Sequence, residues 1–290
     1  MVRIHYPAPR MQASRSCQKP PSPYVMGMTG SGDMQIILIG FLASLAAGVM
    51  TGVGALPVLL GREITQKWRD MLLGFAAGVM ISASFFSLIL PGIEYATALY
   101  GGVGRAALSA GGGIALGALA VWAINARVPH EHFVTGREGS DSAALARIWL
   151  FILAISIHNF PEGLAVGVGF GGGDVGNGTT LALGIGLQNA PEGLAVAVAL
   201  RGQGYGRWRS FLVALATGLV EPLGGLLGVA AVTASEYVLP WGLTFAAGAM
   251  LFIISHEIIP ETHRHGHQNR ATTGLIGGLI LMMLLDVTLG

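Results

Sequence analysis

The sequence predicts an all-α integral membrane protein with eight transmembrane helices. Three observations carry that prediction. Of its 290 residues, 52% are hydrophobic and only 11% charged, against roughly 25% charged in an average soluble domain. Apolar runs of about 20 residues, enough to cross ~30 Å of hydrocarbon, recur from residue 35 to the end of the chain. Within two consecutive runs one polar motif occurs twice: His158-Asn159-Phe160-Pro161-Glu162-Gly163-Leu164-Ala165-Val166 and Gln188-Asn189-Ala190-Pro191-Glu192-Gly193-Leu194-Ala195-Val196.

Residues 1–34 are polar and proline-bearing and are expected to form a disordered N-terminal tail. No apolar core with a small-residue cleavage pattern precedes the first long run, so this is not a signal peptide; Met26, Met28 and Met34 offer alternative starts. Residues 35–290 form the membrane domain. Its spans are expected near Gln35 to Leu60, Asp70 to Leu90, Ala106 to Ala126, Ile148 to Phe170, Thr179 to Leu200, Ser210 to Val232, Val238 to Ile259 and Ala271 to Leu289. Lys and Arg collect in the odd connections. Arg62, Lys67 and Arg69 follow the first span; Arg127, Arg137 and Arg147 the third; Arg201, Arg207 and Arg209 the fifth; Arg264 and Arg270 the seventh. The even connections carry only Arg105. The positive-inside rule then puts the odd connections in the cytoplasm and both termini outside.

Glycine contributes 45 residues, and small residues four apart recur at Gly48 and Gly52, Gly74 and Gly78, Gly113 and Gly117, and Gly224 and Gly228. In lipid such spacing lets helices approach closely. No Gly-Lys-Ser/Thr follows any of them, which excludes a phosphate-binding loop. A formal charge of +1 without a basic run argues against nucleic acid as a partner. The lone Cys17 excludes an intrachain disulfide framework and a cysteine zinc cluster.

The chemistry lies in the repeated motif. A carboxylate near the middle of a bilayer costs about 2.5–3.5 kcal/mol even on the lenient insertion scale. On a helix His158, Asn159 and Glu162 share one face, and Gln188, Asn189 and Glu192 repeat the arrangement. Consecutive spans run antiparallel, so the two copies read as an inverted repeat with its site where they meet. Pro161 and Pro191 are expected to break their helices and release the carbonyls of Ile157 and Leu187. A third acid, Glu221, lies mid-span before Pro222, and no intramembrane Lys or Arg can pair with any of the three. Carboxylates with an imidazole describe a divalent-cation site that favours zinc or a neighbouring transition metal. The bland alternative, two structural kinks, leaves the acids without a counter-ion. Met80 is a candidate thioether ligand, and also an ordinary core methionine.

With these residues in place the chain resembles the ZIP (Zrt/Irt-like) family of metal transporters, in particular its bacterial branch, over roughly Gln35 to Gly290. The resemblance implies helices in a 3+2+3 arrangement, a homodimer in the bacterial inner (plasma) membrane, and uptake toward the cytoplasm. It implies a binuclear site between the fourth and fifth helices. One metal would be held by Met80, His158, Glu162, Gln188 and Glu192, the other by Asn159, Glu162, Asn189, Glu192 and Glu221, with Glu162 and Glu192 bridging. Some members carry an acid at the position of Asn189, so weaker occupancy of the second position is expected here.

Two secondary clusters fall on the inferred cytoplasmic side. His256, Glu257, Glu261, His263, His265 and His267 read as an exit path, with the last three in a loop, and His130-Glu131-His132 as a second, shorter cluster. On the other side Asp286, and Glu94 in the loop after Pro91-Gly92, are candidate entrance residues. An intramembrane metalloprotease fails on spacing, because Pro260 follows His256-Glu257-Ile258-Ile259 and the second histidine of His-Glu-x-x-His is absent. A metal exporter would use the same ligands, and flux direction separates the two. The reading is therefore a transporter, not an enzyme. Its substrate is a divalent metal, zinc first, with cadmium, iron or manganese as alternatives, and its surroundings are membrane lipid.

Overall fold

A backbone in hydrocarbon has no water to satisfy it, so apolar runs of this length must close their hydrogen bonds within helices. The computed structural model bears this out over the residues it describes, 30–61, 64–127, 130–132, 136–138, 147–202 and 205–289. The expected tail lies outside the described residues up to residue 29, and α1 already begins at Gly30. The first span is α1 (Gly30–Leu59). The second is α2 (Gln66–Ala83), a π-helical turn (Ser84–Ile89) and α3 (Leu90–Tyr100). The third is α4 (Val103–Arg127), followed by a short antiparallel pair, β1 (His130–His132) with β2 (Gly136–Glu138). The fourth and fifth spans are α5 (Arg147–Gly171) and α6 (Val175–Gly202). The sixth is α7 (Arg207–Gly218) with α8 (Glu221–Ala234). The seventh is α9 (Val238–Ile253), a π-helical turn (Ile254–Ile258) and α10 (Ile259–His263), and the eighth is α11 (Gln268–Leu289).

Among the described residues seven of these spans are long and apolar enough to cross a membrane. The remaining expected span is α5, a helix of 25 residues. Two sequence expectations need correction. The second span continues to Tyr100, which places Glu94 on a helix rather than in a loop. The seventh continues to His263, so His256 and Glu257 lie within it and not at its end.

The spans pack in four intimate pairs: α1 with α6, α5 with α8, α2 with α11 and α4 with α9. The first, fourth, fifth and sixth spans contact mainly one another, as do the second, third, seventh and eighth. The two groups meet where α2 runs beside α6 and α5 beside α9. The main apolar core fills this junction with Met80, Leu181, Ile185, Leu243, Met250, Ile253 and Met282. Conversely, α4 turns Leu108, Leu116, Leu119 and Trp122 outward, an apolar face suited to lipid.

The glycine pattern sets the pairing distances. A Cβ at Gly74 or Gly78 would lie 2.1 or 1.9 Å from the carbonyl oxygens of Ala271 and Leu275, and one at Gly274 or Gly278 would lie 2.0 or 2.1 Å from those of Met71 and Phe75. Backbone meets backbone reciprocally along this seam, as the small-residue spacing predicts. Gly78→Ala should therefore push α2 and α11 apart and destabilise the protein by about 1–3 kcal/mol. Gly277→Ala, with nothing within 4 Å of the added methyl, should not. Thermal unfolding of the two variants in one detergent checks the contrast; equal melting temperatures would refute it.

Candidate metal centre

The two motif copies occupy the middles of α5 and α6, and both helices run without interruption through Pro161 and Pro191. The expected breaks are not there: each proline deletes one hydrogen bond, and neighbouring spans hold the rest of the helix in place. The interruption falls instead in the sixth span. There α7 ends at Gly218, and α8 starts afresh at Glu221 with Pro222 in its first turn, where the missing N–H is no loss. Glu221 is thus buried at a helix N-terminus, whose partial positive charge favours an acid. The motif glycines bring these elements together. A Cβ on Gly163 would lie 2.0 Å from the Glu221 carbonyl oxygen, and one on Gly193 would lie 1.9 Å from that of Thr51. Only glycine lets α5 touch α8 at the third acid and α6 touch α1 at the second motif.

His158, Asn159, Glu162, Gln188, Asn189, Glu192 and Glu221 are all buried. Gln188 Nε2 donates to Glu162 Oε1 at 2.8 Å, linking the two copies. Asn189 Nδ2 donates to Glu221 Oε1 at 2.7 Å and to the Ala47 carbonyl at 2.9 Å. Gln188 and Asn189 thus each spend a donor on one oxygen of Glu162 and Glu221, Asn159 Nδ2 is left without a partner, and an array of acceptors is left over. Asn159 Oδ1, Glu162 Oε2, Gln188 Oε1, Asn189 Oδ1, Glu192 Oε1 and Glu221 Oε2 are buried without a hydrogen-bond partner. Gln188 and Asn189 are neighbours on α6, so their bonds bring Glu162 and Glu221 to adjoining positions. An orphaned buried acceptor costs about 1–3 kcal/mol, more when charged, and a cation is the species that would satisfy several at once. Among the described residues no three His, Cys, Asp or Glu side chains by themselves form a group able to hold a metal ion. An ion here would draw on the amide oxygens as well. Met80 is fully buried in the apolar core, its carbonyl accepting from Ser84 Oγ at 2.8 Å.

The secondary residues separate into different places. Glu257 reaches the centre: it is buried, its Oε2 contacts His158 Nε2, and its Oε1 accepts from Asn125 Nδ2 at 3.3 Å. His256 stacks on Phe252 with ring centroids 5.1 Å apart. Glu261 has a buried Oε2 without a partner, and His263 Nδ1 lies 3.0 Å from the Ile259 carbonyl oxygen. His265 and His267 converge on Asp70, which is buried at the start of α2, with Nδ1 to carboxylate distances of 3.3 and 2.8 Å. Gln66 Nε2 donates to the same carboxylate at 2.6 Å. Asp70 and Asn125 had no sequence signal beyond polarity near a span boundary, where a solvated flank is the ordinary expectation. On the other side Asp286 accepts from Ser87 and keeps a buried, unpartnered Oδ2, whereas Glu94 is exposed on α3. The side chains of His130, Glu131 and His132 lie outside the described residues.

A family model described as ZIP zinc transporter matches residues 126–286. The chain is 47% identical to zinc transporter GufA of Myxococcus xanthus, over 87% of this chain and 99% of the relative. It is 46% identical to zinc transporter ZIPB of Bordetella bronchiseptica, over 92% and 86% of the two chains. It is also 35% identical to zinc transporter ZIP11 of Homo sapiens, over 83% and 94%.

The Asn189 geometry fixes what an acid there would do. Asn189→Asp removes both donated hydrogen bonds and sets a like charge beside Glu221, so the metal-free protein should melt at a lower temperature. With metal present the added anionic oxygen should tighten zinc binding roughly tenfold, about 1.4 kcal/mol. Calorimetric titration and melting curves with and without zinc check both signs.

Proposed function

The chain belongs to the ZIP family of zinc transporters, and from that premise we propose that it moves zinc across the bacterial inner membrane into the cytoplasm through a binuclear site between the fourth and fifth spans. Members of the family are metal transporters, not enzymes, and no covalent chemistry is called for. The observation that carries the reading is the set of buried oxygens on the paired motifs and Glu221 that lack any hydrogen-bond donor. In this reading Met80, His158, Glu162, Gln188 and Glu192 hold one ion, and Asn159, Glu162, Asn189, Glu192 and Glu221 the other. Cadmium, iron and manganese are the further substrates to test. Asp286 and Glu94 lie on the entrance side, and His256, Glu261, His263, His265 and His267 on the exit side, with both termini outside and the protein a homodimer.

The packing supports a 3+2+3 inverted repeat. Exchanging spans one to three with six to eight, and four with five, maps the α1–α6 pair onto α8–α5 and the α2–α11 pair onto α9–α4. The π-helical turns fall in spans two and seven, each ending two residues before a proline, Pro91 and Pro260. In this symmetry the two motifs face each other across the axis, where an ion can bridge Glu162 and Glu192.

Zinc, cadmium, iron and manganese influx into proteoliposomes at defined pH is the decisive measurement. Glu162→Ala and Glu192→Ala should each abolish zinc flux at wild-type protein levels; normal uptake by either would remove the binuclear reading. Flux only out of the compartment facing the odd connections would make the protein an exporter. Protons and metal compete for the same imidazole and carboxylates. Acidification should therefore weaken zinc binding progressively. Equilibrium binding between about pH 8 and 5 tests this, and an affinity flat across that range would exclude these ligands.

A further inference from the structure

The connection between the fifth and sixth spans, Arg201-Gly202-Gln203-Gly204-Tyr205-Gly206-Arg207-Trp208-Arg209, holds three arginines and no acid. It runs into the start of α7, where Arg207, Trp208 and Arg209 are all exposed, Trp208 at 68%. Among the described residues neither arginine of this triplet has a carboxylate partner. A similar triplet, Lys67-Trp68-Arg69, lies at the start of α2, but there Arg69 donates to Gln66 and Asp70 follows. No acid lies in the first turn of α7. A helix start is also the wrong end for cations, so the two charges cost stability until an anion joins them.

The helices below these charges supply an apolar face. α1 and α7 run antiparallel in close contact. A Cβ at Gly48 would lie 2.2 Å from the Gly218 carbonyl oxygen, one at Gly52 2.6 Å from the Leu215 side chain, and one at Gly61 2.8 Å from the Arg207 guanidinium. At about 3.6 residues per turn, Val49, Val53 and Leu56 of α1 and Trp208, Leu212 and Leu219 of α7 then emerge on one side of the pair, and all six are exposed. Two apolar ridges therefore lead toward the arginines. Apolar walls under a cationic end complement a phospholipid whose head group is negative. Guanidinium forks match phosphate, and tryptophan collects at the level of the head groups.

We propose that this end of the α1–α7 pair binds an anionic phospholipid, its phosphate on Arg207 and Arg209 and an acyl chain between the two ridges. The site belongs to the group of spans that carries both motifs, and lipid would bind it with or without metal there.

The experiment uses the full chain in detergent, titrated with phosphatidylglycerol or with phosphatidylcholine of the same acyl chains, and counts bound lipid by native mass spectrometry. Wild type should hold phosphatidylglycerol about 25-fold more tightly than phosphatidylcholine, roughly fivefold for each arginine. Arg207→Gln and Arg209→Gln should each cost about fivefold, and the double variant should erase the preference. Arg270→Gln removes the same charge from another exposed arginine in an odd connection and should leave the preference unchanged. Inorganic phosphate should not displace the lipid, because the acyl chain supplies part of the affinity. Equal retention of the two lipids by wild type overturns the proposal without any variant, so it stays testable even if the arginine variants do not fold. Displacement by inorganic phosphate overturns it too, leaving a site for free phosphate. So does an effect of Arg270→Gln as large as that of Arg209→Gln, which would reduce the preference to diffuse surface charge. Leu212→Cys in a Cys17→Ser background, oxidised in lipid nanodiscs, should give no cross-link between copies; efficient cross-linking would put a second copy of the chain on the ridges and overturn the lipid site.

Discussion

Three carboxylates are buried near one another inside a membrane protein, with no salt bridge to Lys or Arg among the described residues, and the rest of the structure is arranged around that cost. Glu162, Glu192 and Glu221 come from three different spans. Two of them are held by amides, Gln188 bonding Glu162 and Asn189 bonding Glu221, and Glu221 also lies at a helix N-terminus that favours an acid. These contacts satisfy one oxygen each of Glu162 and Glu221 and stop there. A structural site would complete the set; one that must release its ion has reason to leave acceptors waiting and to use neutral amide oxygens among its ligands.

Glycine makes this concentration of polar groups geometrically feasible. Within each motif the residue after the acid is glycine, and there the backbone of a neighbouring span comes closer than any side chain would permit. The same device recurs along the α2–α11 seam. In lipid there is no hydrophobic drive between helices, so stability rests on close van der Waals contact and polar bonds. The three acids lie within one of the two groups of spans, on α5, α6 and α8.

Prolines matter here less by breaking helices than by where irregular backbone collects near them. The motif helices run on through Pro161 and Pro191, while the sixth span restarts at Glu221-Pro222, and π-helical turns precede Pro91 and Pro260. The last of these turns aims Glu257 at His158. An extra residue in a helical turn rotates everything after it, and this is how an acid counted among exit residues comes to stand at the imidazole.

The sequence by itself determined the membrane class, the run of apolar helices, the matched acids and the family, because hydropathy, spacing and a repeated motif are local properties of the chain. It also identified the glycine ridges, since a four-residue spacing of small residues has one physical use in lipid. What only the tertiary structure decided were the partnerships between residues far apart: His158 with Glu257, Glu257 with Asn125, Asp70 with His265 and His267, Ser87 with Asp286. No periodicity encodes these, because a polar residue near a span end looks the same whether it faces water or a partner far away in the chain. Helix continuity at Pro161 and Pro191 was equally invisible. A proline states only that one hydrogen bond is lost, and whether the helix survives depends on the neighbours that pack around it.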